Sequence, residues 1–173
     1  LERTENNGAA NANTDHADHA AESGVKAIRK SVTVACSRAK AWEFWTTSEG
    51  LAKFFSPDSK VELKPGGAYE MFFGAQPDDN GLRGSEGSRV VTLIPNELLI
   101  FDWTFAPNTP ELRKSRKKIP VMLTFHALSP KQTRIDLVHY GWVEGEEMET
   151  GFKYFDQVWP HVLGAFKNVA EKD

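Results

Sequence analysis

The side chain best suited to chemistry in this chain is His139. It falls at an alternate position of the run Thr133, Ile135, Leu137, His139, so a strand there turns it towards the same side as core-type neighbours. An imidazole with an ordinary pKa of about 6.5 can act as a general base at neutral pH or donate to a ligand carbonyl. The same placement suits a histidine hydrogen-bonded into a core, or one bracing the Gly141-Trp142 turn, because buried polar groups are rarely left unpaired. Glu70 and Asp102 lie in the opposite strand phase and read as solvated. The run Arg113-Lys114-Ser115-Arg116-Lys117-Lys118 places five cations in six positions. It can capture an anionic group or simply keep a loop in water, and with no aromatic interleaved it lacks a single-stranded nucleic-acid signature. Asp15-His16 and Asp18-His19 repeat an acid–imidazole pair, which on a polar segment makes at best a weak metal site. Cys36 is the only cysteine and reads as a small hydrophobe. Ser-His-Asp, Cys-His, phosphate-loop and zinc spacings are missing from residues 25–173, so no metal or cofactor is expected, and the chain reads as a binder rather than an enzyme.

The other chemistry open to it is apolar binding. Trp45, Phe55, Tyr69, Met71, Phe73, Phe101, Trp103, Phe125, Phe152, Phe155 and Trp159, together with His139, form the candidate ligand-lining set. Small-molecule pockets are mostly apolar with a few placed polar groups, although the same rings can also simply fill an interior. Tyr69 and Trp103 carry polar handles that need partners when buried, and so could orient a ligand.

Positioning these side chains requires a sheet and a covering helix. Residues 27–35 alternate Ile28, Val32 and Val34 as a first strand. Ser37 is placed to cap a helix through Thr46 or Thr47 that carries Ala41, Trp42, Phe44 and Trp45. Ser48 opens a second short helix with Leu51, Phe54 and Phe55, ending before Pro57. Pro65-Gly66-Gly67 punctuates the start of a second strand that aligns Tyr69, Met71 and Phe73. Asp78-Asp79-Asn80-Gly81 reads as a surface loop, residues 86–94 as a third strand, and Pro95-Asn96-Glu97 as a hairpin turn. Leu99, Phe101, Trp103 and Phe105 alternate on a fourth strand. Val121, Leu123 and Phe125 do so on a fifth, and the run ending at His139 is the sixth. From about residue 145 to 170, Met148, Phe152, Phe155, Trp159, Val162, Phe166 and Val169 recur in steps of four and three, the stripe of an amphipathic helix interrupted by Pro160. The expected fold is α+β: a curved six-stranded antiparallel sheet around a long C-terminal helix, with two short helices between the first and second strands.

A chain of 173 residues with 40% hydrophobic and 26% charged residues suits one globular domain, here 25–173, plus a tail. A net charge of −3 gives no general attraction to nucleic acid or anionic lipid, and no apolar run is long enough for a transmembrane segment. Residues 1–24 hold no aromatic residue and only Leu1 as an aliphatic larger than alanine, so they are expected to be a disordered polar tail. Such a tail without an initial methionine fits removal of an export signal, and equally trimming of the chain; export is the expectation. The expected partner is a small apolar or amphipathic molecule, not nucleic acid, bound by a monomer or weak dimer.

The ordered set Ala41-Trp42-Glu43-Phe44-Trp45, Thr47-Ser48-Glu49-Gly50-Leu51, Lys64-Pro65-Gly66-Gly67, Pro95 with Leu99, Phe101 and Trp103, and His139-Tyr140-Gly141-Trp142 resembles the START-like (SRPBCC) superfamily. Within it the chain is most similar to the homologues of the activator of the heat-shock-protein-90 ATPase, over about residues 26–171. The resemblance implies a helix-grip fold and a cavity between sheet and helix. It leaves function open, since the superfamily spans lipid carriers, hormone receptors, polyketide cyclases and a chaperone activator. A cyclase- or hydrolase-like enzyme using His139, and a regulator of a chaperone ATPase acting through its surface, stand as alternatives to a carrier. The polar tail stands where the activator proper has its chaperone-contacting domain, so the likeness speaks less for a co-chaperone.

Overall fold

The computed structural model describes residues 26–172; the polar tail, its two Asp-His pairs and the expectation of export lie outside the described residues. β1 (Lys26–Val34) is followed by α1 (Arg38–Thr46) and α2 (Ser48–Ala52). Then come β2 (Asp58–Val61), β3 (Tyr69–Phe72), β4 (Val90–Ile94) and β5 (Leu98–Trp103). A short α3 (Pro110–Lys114) leads to β6 (Ile119–Ser129), β7 (Gln132–Trp142) and the long α4 (Glu146–Ala170). The sheet is antiparallel and five-stranded in the order β1-β7-β6-β5-β4, with β2-β3 as a separate pair. The expected six strands thus divide five and one, and β2 joins as an unforeseen seventh. β2 escapes the sequence because DSKV has no alternating apolar pattern to mark it.

The third strand starts at Val90 rather than near residue 86, because residues 84–89 serve another purpose. They run along β3 in irregular register, with Tyr69 N donating to Ser88 O at 2.9 Å and Ser85 N to Met71 O at 2.8 Å. Isolated bridges pair Ala68 with Arg89 and Phe72 with Gly84. This stitching hangs the two-stranded pair on the end of the main sheet. Gly84 permits it: a Cβ there would stand 1.9 Å from Met71 O.

Local signals fix the short helices. Ser37 Oγ accepts from Lys40 N at 3.2 Å and caps α1 as expected. α2 is capped one residue earlier than expected, by Thr47, whose Oγ1 accepts from Gly50 N at 3.0 Å, while Ser48 Oγ donates to Ser59 O. α4 carries Glu146, Glu147 and Glu149 in its first turn, where carboxylates favour the helix dipole. Its buried face comprises Gly151, Phe155, Trp159, Leu163, Phe166 and Ala170. Met148, Phe152, Val162 and Val169 of the expected stripe flank it, half-buried. The stripe is rotated because Val162 and Leu163 are both apolar, and because small residues take the contacts where helix and sheet come closest; a Cβ on Gly151 would lie 3.1 Å from the Trp142 ring.

The middle of the palm is filled. Ile28, Leu99, Phe101, Val121, Leu123, Phe125, Ile135 and Leu137 from the sheet are buried against Trp42, Phe44 and Trp45 of α1 and the α4 face. Each fully buried large side chain contributes about 1.5–3 kcal/mol.

Candidate functional site

The open space lies at one end of the palm. A cleft of about 450 Å³ is bounded by Phe55 after α2, the segment 73–84 after β3, residues 103–107 at the end of β5, Arg113 of α3, and Tyr154, Phe155, Val158, Trp159 and Val162 of α4. Its apolar wall is a set of paired rings. Phe55 stacks on Trp103 at 5.6 Å, Phe155 stacks on Trp159 at 5.9 Å, and the two tryptophans meet at 6.0 Å. Phe73 forms an exposed lip, 49% accessible, beside Phe55 at 5.8 Å.

Of the twelve candidate lining residues, Phe55, Phe73, Trp103, Phe155 and Trp159 border this cleft. Trp45, Tyr69, Met71, Phe101 and Phe125 are buried in the core away from it, and Phe152 packs half-buried against Trp142. The Tyr69 hydroxyl is committed to Trp45 O at 2.6 Å, and burial raises its pKa beyond the usual phenol range. Trp103, by contrast, lines the cleft, and its indole N–H has no hydrogen-bond partner among the described residues.

His139 faces inward but sits behind the wall. Its Nδ1 accepts from Trp159 Nε1 at 3.0 Å, its ring packs edge-on against Trp142, Phe155 and Trp159, and it is 0% exposed. An accepting Nδ1 places the proton of the neutral ring on Nε2, which has no partner among the described residues. Burial pulls its pKa down to about 3, so the ring is neutral at physiological pH. It holds Trp159 in the cleft wall and does not itself line the cleft.

Residues that sequence reading left to solvent build the polar end. The basic run is not a uniform solvated loop. Its first member, Arg113, belongs to α3 and is 5% exposed. Its Nε donates to Asp78 Oδ2, Nη1 to Phe105 O at 2.9 Å, and Nη2 to Gly84 O at 3.3 Å. Asp78, expected on a surface loop, gathers that loop: its Oδ1 accepts from Asn80 N and Leu82 N, both at 2.9 Å. Partial burial pushes the Asp78 carboxyl up, but Arg113 and the two amides outweigh it and hold the pKa below the usual carboxylate range. α3 is itself tethered, since the Glu147 carboxylate of α4 accepts from Glu111 N and Leu112 N. Glu70 and Asp102 are likewise engaged, accepting from Gly87 N and Arg89 N where the strands are stitched together. Only the Pro110 at the head of α3 and the Asx-prone Asp78 offered a sequence signal for this arrangement. Among the described residues no cluster of histidine, cysteine or carboxylate side chains has the arrangement of a metal site. No described helix is long and apolar enough to cross a membrane.

An antiparallel sheet curled around one long C-terminal helix, with two short helices after its first strand and a cleft at one end, defines a helix-grip protein of the START-like class. The family described as activator of Hsp90 ATPase homolog 1-like protein matches residues 35–171, and the chain belongs to it. Solved structures are similar in fold. The Aha1 dimer from Colwellia psychrerythraea is 22% identical, with 84% of this chain and 96% of that one covered at a TM-score of 0.63. A Chromobacterium violaceum protein is 21% identical over 85% of this chain and 98% of its own, at 0.61. A protein of the dynemicin biosynthetic locus is 17% identical over 82% of this chain and 46% of its own, at 0.56. No curated protein matches the chain by sequence.

Proposed function

We propose that this protein binds a small apolar or amphipathic molecule in the cleft between the end of the sheet and α4, and performs no chemistry on it. The observation that carries this reading is the cleft itself: about 450 Å³, within the size range of small-molecule sites, walled by Phe55, Trp103, Phe155 and Trp159 and ending in a polar corner. The position of His139 weighs against the enzyme alternative, because its accepting nitrogen is occupied and its ring lies behind Phe155 and Trp159. Family membership favours one second reading, regulation of a chaperone ATPase through the protein surface. Native mass spectrometry of the protein isolated under gentle conditions tests the first reading. A binder releases a hydrophobic small molecule on activation and loses it in Trp103→Ala and Phe55→Ala. Ligand-free protein that stimulates a chaperone ATPase, unaffected by both substitutions, would replace binding with the surface role.

A further inference from the structure

Resting on the reading of the cleft as a ligand site, we propose that it selects an uncharged amphiphile: an apolar body ending in a hydrogen-bond acceptor, such as a ketone, ester or lactone oxygen. Arg113, which lines the cleft, carries five N–H bonds, of which Asp78 Oδ2, Phe105 O and Gly84 O take three, leaving two that no described group takes. Trp103, also in the wall, has an indole N–H with no partner among the described residues. Thr104 and Tyr154 add hydroxyls that make no hydrogen bond to the described residues. Gln76, also at the cleft, carries an amide that donates and accepts, and the two hydroxyls can do either, whereas Arg113 and Trp103 can only donate, so the unshared capacity leans towards donors. Asp78, the carboxylate at this end, already accepts from Arg113, Asn80 N and Leu82 N.

The polar corner carries no net charge. The guanidinium of Arg113 and the carboxylate of Asp78 cancel. Arg83 also borders the cleft, but its head group is engaged and balanced: Nε donates to Gly74 O, Nη2 lies 3.5 Å from the Asp58 carboxylate, and the guanidinium lies over the ring of Phe72. Phe72 is on the outward phase of β3, opposite the buried Tyr69 and Met71. A ligand carboxylate brought to the corner would compete with Asp78 for one guanidinium while losing its water, and a ligand cation would meet Arg113 itself; both are unfavourable where solvent is partly excluded. A neutral oxygen acceptor finds unused donors and leaves the Arg113–Asp78 pair intact.

Three probes of one shape test this: 2-acetonaphthone, 2-naphthoate and 2-naphthylmethylammonium, titrated at pH 7.5 while the indole N–H signals of Trp103 and Trp159 are followed by NMR. The ketone is expected to bind at least about tenfold more tightly than either ion. Asp78→Asn leaves Arg113 uncompensated, so the carboxylate is expected to gain about tenfold or more while the ketone changes little. A smaller advantage of the ketone in the wild type overturns the charge selection and leaves the cleft as a plain apolar site. Titrations in which no probe moves either indole signal overturn the selection and the binding reading together. Should Asp78→Asn not fold, as judged by circular dichroism, the wild-type ranking decides alone.

Discussion

His139 makes a quantitative claim about acid stability. In the folded protein its ring is neutral, enclosed by Trp142, Phe155 and Trp159, with a pKa drawn from 6.5 to about 3 by burial. The unfolded chain has no such enclosure and takes up a proton near pH 6.5. Between these two values the unfolded state binds more protons than the folded one, so stability falls as pH falls. The contribution is fully present above 6.5 and erodes towards 3. Integrating over that window gives a loss of about 2 kcal/mol at pH 5 and about 3 kcal/mol at pH 4 relative to pH 8. His139→Asn removes the titration while keeping an oxygen able to accept from Trp159 Nε1. Urea unfolding of both proteins at intervals from pH 8 to pH 4 isolates the effect as the difference between two curves. Carboxylates held low in the fold, Asp78 among them, lose stability on acidification in both proteins and cancel. The variant is less stable at pH 8, and the gap should close by about 2 kcal/mol by pH 5. Two curves that stay parallel would refute the picture of a buried neutral imidazole.

Gly84→Ala forces a Cβ against Met71 O at 1.9 Å, in backbone that cannot yield cheaply. A loss of about 2 kcal/mol or more is expected in a thermal melt, together with weaker ligand retention, because Gly84 is part of the cleft wall. Arg113→Met strands Asp78, Phe105 O and Gly84 O at once. Chemical denaturation should report about 2–4 kcal/mol, and proteolysis should begin in residues 74–84. Ser37→Ala removes the cap of α1 and should cost about 1 kcal/mol, with no effect on binding.

The architecture was legible because its signals are periodic. Alternating Leu99, Phe101 and Trp103, the hairpin at Pro95-Asn96-Glu97, and the recurrence of Phe155, Trp159 and Phe166 each constrain a whole element. Asn96 takes the positive φ of 62° that its turn requires. What sequence could not supply was the partner of each polar group. Arg113 sits in a run whose other members include solvated lysines, and nothing in RKSRKK separates the one guanidinium that three distant groups enclose. The cleft was half-legible for a related reason. Inward phase identifies Tyr69, Phe101 and Trp103 alike, but only position along the strand decides which rings fill the palm and which reach the opening. β5 puts Phe101 in the interior and Trp103 at the cleft.

The grip of Glu147 on the amides of Glu111 and Leu112 has a dynamic corollary. Helix ends fray first, and this carboxylate stands in the opening turn of the longest helix, so each momentary unwinding there lets go of α3 and with it the arginine cornering the cleft. Amide exchange across residues 110–114 should then keep pace with exchange at the head of α4, and guest molecules would come and go at the rhythm of that fraying.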